Sequence, residues 1–201
     1  QFNIQGTRND LLNKLSAMPY FLFKICNNEY RSFYQNFGRT RKKIIYQEAK
    51  TFFKKFYREY FINKKLKHKL SITEKFIYFP LHVEPERSTL MGAPFYSNQI
   101  EVIRHIAKSI PVEYTLVVKE HPHQKLHGWR GISFYKEILE LPNVNFLHPS
   151  VSNEDILKKC SLVVVITGTL GLEAAYYAKP TILFGDVLFA SLDSVFKVDK
   201  L

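Results

Sequence analysis

"LVVVITGTLGLEAAYYAKPTILFG", Leu162 to Gly185, holds two short apolar runs separated by one amphipathic stretch. The runs, taken as strands at 161–166 and 181–184, are continuously apolar instead of alternating. That pattern marks strands covered on both faces, as in a parallel sheet flanked by helices. The intervening 170–178 has the length and apolar spacing of a helix, so the unit reads strand–helix–strand with a right-handed crossover. Working outward, further strands fall at 76–80 (FIYFP), 114–118 (YTLVV) and 144–147 (VNFL), and helices near 97–109, 132–140 and 152–159. Ser152 in "SNED" is placed to cap the last of these, with acidic residues in its first turn. Residues 73–201 therefore read as one α/β domain, a Rossmann-like parallel sheet with helices on both faces.

Upstream the character changes. Lys and Arg outnumber Asp and Glu by 16 to 4 in residues 1–70 and stand at 13 to 14 in the remainder, so the net +11 belongs to the first third. Residues 1–72 read as a basic, mainly helical segment, a linker or the remnant of a preceding half. Within it Ile45, Ala49, Phe52, Phe56 and Tyr60 recur every three or four residues, one apolar helical face opposite lysines and arginines. A solvated basic face on a helix packed against its neighbour and a contact with an anionic membrane surface both stay open. No groove-reading motif accompanies the charge, so nucleic acid is not expected as a partner.

Nothing approaches the roughly 20 apolar residues of a spanning helix, and the start "QFNIQGTRND" lacks a secretory pattern. The first residue is not methionine and the chain stops at "VFKVDKL", from which a piece of a longer protein is expected. Cys26 and Cys160 make no disulfide framework, and Cys160 in "ILKKCSLVVV" reads as a buried thiol. A cytoplasmic setting, at most peripheral on the inner membrane, fits; no cysteine or histidine spacing suits zinc.

Ligands of open parallel sheets collect beyond the carboxyl ends of the strands. Three polar loops meet that description: "LHVEPERSTLMGAP", "KEHPHQ" and "TGTLG". Thr167-Gly168-Thr169 sits where a strand gives way to a helix, whose first N–H groups lack partners and attract anions. Either these residues cradle a phosphate, or Thr169 caps the helix and Gly168 turns the chain. Glu173, one turn on, is placed for ribose hydroxyls or for the helix terminus. In "KEHPHQ", Pro122 holds His121 extended and presets its imidazole, with Lys119 just before it; His123 and His127 read as surface residues. In the first loop, His82, Glu84 and Glu86 suit acid–base work or pairing with Arg87. The ordering role is preferred, with Arg87 reaching for an anion.

These segments, "YFPLHVEPERSTL", "VVKEHPH" and "SNEDILKKCSLVVVITGTLGLEAAYYAKPTILFG", resemble in order and spacing the capsule polysaccharide biosynthesis family of bacteria. That family includes the 3-deoxy-octulosonate (Kdo) transferases. The resemblance covers about residues 75–200. It implies the C-terminal half of a GT-B glycosyltransferase, with a nucleotide-sugar donor, CMP-linked by preference, and a polysaccharide or lipid-linked glycan acceptor. No cofactor and no obligatory metal are implied. Carried over, His121-Pro122 and Thr167, Gly168 and Thr169 would hold the nucleotide phosphate, and Glu173 would lie near the ribose. The catalytic carboxylate is then expected outside these residues. A teichoic-acid-type polyol-phosphate transferase, a sugar epimerase and a non-catalytic docking module are the competing readings.

Overall fold

The computed structural model describes residues 40–71, 75–85 and 87–198, together with Pro19, Tyr20, Phe23 and Asn27. The chain divides into two compact units between Tyr57 and Arg58, within helix α1 (Arg41–Lys65); the sequence reading drew its line at 72/73.

Six strands form the α/β unit: β1 (Lys75–Pro80), β2 (Tyr114–Lys119), β3 (Val144–Leu147), β4 (Leu162–Val165), β5 (Thr181–Leu183) and β6 (Val195–Lys197). All pairings are parallel, in the order β3-β2-β1-β4-β5-β6. That is the strand order of doubly wound nucleotide-binding sheets, and the direction of winding reverses between β1 and β4. The remaining helices are α2 (Arg87–Gly92), α3 (Gln99–Ser109), α4 (Ile132–Leu139), α5 (Asn153–Lys159) and α6 (Leu170–Tyr176). The sequence reading did not foresee α2 and β6.

Alternation along each strand sorts the core into two layers. Ile77, Phe79, Leu116, Val118 and Val164 pack with α3 and α4 on one face. Phe76, Tyr78, Val117, Val163 and Val165 pack with Ile156 and Leu157 of α5 and Ala174 of α6 on the other. Ser152 caps α5, its hydroxyl accepting from the Asp155 N–H at 3.4 Å. Cys160 is a buried free thiol, and burial pushes it up to about 11.

The end of α1 belongs to this core. Ile62 is fully buried and Phe61 packs beside it, while Glu59 pairs with Lys125 at 2.8 Å. The stripe read as the helix's apolar face is instead exposed at Ile45, Phe52, Phe56 and Tyr60. Beyond the helix, the Lys67 N–H donates to the Phe146 carbonyl at 3.0 Å and the His148 N–H to the Lys67 carbonyl at 2.8 Å, which covers the outer edge of β3. Among the described residues no helix is long and apolar enough to cross a membrane.

Candidate functional site

Above the reversal point lies a cavity of about 410 Å³. Its lining comes from the ends of β1, β2 and β4 and the start of α6, including Lys119, His121, Pro122, Thr167, Gly168, Thr169 and Glu173. The three strand-end segments singled out in the sequence thus converge. Arg87 opens α2; its side chain lies outside the described ones.

His121 is extended (φ −75°, ψ 130°) ahead of Pro122, as the proline requires. Its Nδ1 accepts the His123 N–H at 3.1 Å, so the neutral ring carries its proton on Nε2, a donor available to the cavity. Burial, then the positive charge of His123, Lys119 and Arg130, holds His121 below the ordinary histidine value. His123 and His127 are exposed.

Lys119 is buried at 4% exposure. Its ammonium donates to Asn153 Oδ1, which also accepts from the Tyr78 hydroxyl at 3.1 Å. Burial lowers Lys119 to about 8, with Glu173 pulling the other way. Lys119 makes no ion pair with any described carboxylate. A buried ammonium in this state favours any anion that can reach it.

His82 closes the cavity floor. Its Nε2 accepts the Thr167 N–H at 3.2 Å, tying the β1 and β4 loops together; the Nδ1 proton has no partner among the described residues. Burial, then His121 and Arg130, lowers its value to about 4, so it stays neutral. Gly168 lies against this ring: a Cβ there would stand 3.0 Å from His82 Nε2. Thr169 occupies the N-cap position of α6 in helical geometry and makes no cap hydrogen bond, so capping does not explain it. Gly171 donates back to Gly168 O and Leu172 to Thr169 O, which leaves the amides ahead of them without helical partners. The Thr167 hydroxyl is buried and has no partner among the described residues.

The β1 loop is ordered by side chains from beyond it. Gln99 accepts the His82 N–H at 2.8 Å and donates to its carbonyl at 3.2 Å. Gln124 does the same for Glu84, at 2.9 and 3.1 Å. Arg130 donates to the His82 carbonyl, pairs with Glu84 and reaches Glu120 Oε2 at 3.1 Å. Glu120 also accepts from the Tyr135 hydroxyl at 2.8 Å and the His121 N–H at 2.7 Å. Burial pushes this carboxyl up, opposed by Arg130 and those hydrogen bonds. The sequence signal for Glu120 was its place at the end of an apolar strand. Arg130, Tyr135, Gln99, Gln124 and Asn153 carried none, since their partners lie up to 75 residues away. Among the described residues no group of three or more His, Cys, Asp or Glu is gathered as metal ligands.

Comparison with known proteins matches residues 7–192 to the capsule polysaccharide biosynthesis protein family. No curated protein matches. Among solved structures, the beta Kdo 2,7 transferase KpsC of Thermosulfurimonas dismutans is similar at 21% identity and TM-score 0.51, over 74% of this chain and 46% of that one. The beta Kdo 2,4 transferase KpsC of the same organism is similar at 12% identity and TM-score 0.53, over 73% and 48%. These likenesses establish a shared fold, and the chain spans about half the length of the structures it matches. The match over residues 7–192 takes in nearly the whole sequence: this chain belongs to the capsule polysaccharide biosynthesis family.

Proposed function

We propose that this member of the family is the donor-binding half of a glycosyltransferase that builds capsule or surface polysaccharide. Its donor is a nucleotide-activated sugar, CMP-linked by preference, and its acceptor a polysaccharide or lipid-linked glycan. The observation that carries the reading is Lys119, a buried ammonium without an ion pair among the described residues, lining one cavity with His121 and the Thr167–Thr169 turn.

In sugar transfer the bond from the anomeric carbon to the nucleotide phosphate breaks as positive charge grows on the sugar ring. The departing phosphate gains negative charge, and donors already aimed at it lower the barrier. Lys119 supplies a cation there, His121 an Nε2–H, and the turn before α6 its unpartnered amides. Glu173 faces the same space and suits the ribose hydroxyls. The nucleophile is activated by residues outside this chain, so transfer by these 201 residues alone is expected to be weak.

Calorimetric titration with CMP, CDP, UDP and GDP tests the proposal. Saturable binding of at least one, weakened about tenfold in His121→Ala through the loss of one hydrogen bond, is expected. Absence of affinity for all four, with no rise in melting temperature, would refute it.

A further inference from the structure

A second cavity of about 700 Å³ shares no lining residue with the first; its size is that of a ligand site. At its wall the chain takes an uncommon course. Gly128 and Trp129 have φ of 81° and 61°, a left-handed conformation that a bulky side chain rarely adopts. Arg58 of α1 holds it, donating to the carbonyls of Gly128 at 3.2 Å and Trp129 at 2.8 Å. The Trp129 N–H is secured on the Gln124 carbonyl at 3.1 Å. The backbone thereby fixes where the indole sits. Outliers maintained in this way concentrate at ligand-holding positions.

The polar groups here are of one kind. Trp129 Nε1 and Thr89 Oγ1 are buried and have no hydrogen-bond partner among the described residues, in residues only 5% and 4% exposed. Asn98 stands at the N-cap of α3, yet its side chain makes no cap hydrogen bond. Ser133 is exposed beside Phe134, an aromatic wall already covered on one side by the Arg130 guanidinium at 4.6 Å. The charges, by contrast, are spent: Arg130 lies between Glu84 and Glu120, and both ends of the Gln124 amide serve the Glu84 backbone. Among the described side chains the one guanidinium a phosphate would meet here is that of Arg130, whose Nη1 is ion-paired with Glu84 but makes no hydrogen bond. A neutral molecule rich in hydroxyls would find hydroxyl, amide and indole groups against an aromatic surface.

We infer that this cavity is a second subsite, for a neutral pyranoside unit of a glycan. The inference rests on the glycan acceptor proposed above and on this lining, and not on the nucleotide reading of the first cavity. Trp129 is the only tryptophan in the sequence, so intrinsic emission reports on this wall. The full chain is titrated with methyl pyranosides and trisaccharides of gluco, galacto, manno and N-acetylgluco configuration into the high-millimolar range. A saturable emission change is expected for at least one. It should weaken roughly fivefold in Asn98→Ala, whose exposed amide the fold does not use, through the loss of one hydrogen bond. Thr89→Val, followed by calorimetry, should behave alike, and Lys119→Met should bind the saccharide as wild type does. No saturable change with any probe would overturn the inference. So would wild-type affinity in both Asn98→Ala and Thr89→Val, or loss of the response in Lys119→Met, which would place the sugar in the first cavity. Failure of nucleotide binding leaves this result untouched, and the reverse holds too.

Discussion

Replacing Lys119 by methionine should make the fold more stable while removing nucleotide affinity. Lys119 is lowered from 10.5 to about 8, a preference of about 3 kcal/mol for the neutral form at full effect. Below pH 8 the folded protein therefore carries a charged group that the unfolded chain would hold at no such cost. Methionine occupies similar space without the charge, and Asn153 Oδ1 keeps the Tyr78 hydroxyl at 3.1 Å, so no buried acceptor is orphaned. Between pH 8 and 10.5 the unfolded wild type binds more protons than the folded, so wild-type stability rises with pH across that window. The advantage of Lys119→Met is thus up to about 3 kcal/mol at pH 7 and shrinks towards pH 10.5. Urea unfolding of both proteins from pH 6.5 to 10.5 measures the difference, and other titrating groups largely cancel in it. A variant less stable than wild type at pH 7, or a gap that ignores pH, would mean that Asn153 and Glu173 already satisfy the ammonium. Lys119 would then be a structural residue and not one awaiting an anion.

Acid should weaken the fold. His82 and His148 are each lowered from 6.5 to about 4, chiefly by burial, so stability present above pH 6.5 is lost as pH falls towards 4; thermal melts of His82→Gln should show a shallower acid slope than wild type. Gly185→Ala should cost about 1–3 kcal/mol by overpacking, because its Cβ would meet Thr167 Cγ2 at 2.5 Å and Ile166 O at 2.9 Å. Gly92→Ala, whose nearest contact would be 3.5 Å, should melt close to wild type in the same assay. Arg130→Met should cost about 3–5 kcal/mol in urea unfolding by leaving Glu120 buried without its partner, and adding Glu120→Gln should recover part of it.

The fold was legible because parallel strands buried on both faces announce themselves as short apolar runs, and five of the six did so. The sixth, Val195–Lys197, has only one buried residue, so its three residues carry no run to read. The site was legible where backbone chemistry is local. Pro122 dictates the conformation of His121, and a Thr-Gly-Thr turn must follow a strand that ends at Val165. What could not be read was the order in the β1 loop. Glu84 is paired by Arg130, 46 residues on, brought there by the crossover between β2 and β3. Likewise the spacing of Ile45, Phe52 and Phe56 gives a helical stripe but not its use, since the burial falls on Phe61 and Ile62 instead.

The adjacent pair Lys119–Glu120 shows how the sheet separates what the sequence joins. Successive side chains at a strand end point to opposite faces. Glu120 joins Tyr135 and Arg130 on the side of α4, while Lys119 joins Tyr78 and Asn153 on the side of α5. A lysine and a glutamate side by side would be expected to neutralise one another; the pleat forbids it. Glu120 is instead matched by Arg130, whose other contacts clamp the β1 loop, and that ion pair is absorbed by the fold. Lys119 is left with a neutral amide oxygen for a partner. Among the described residues this buried cation therefore has no ion pair, at the strand end beside the point where the winding reverses, and that imbalance is the ground on which an anion is proposed to bind there.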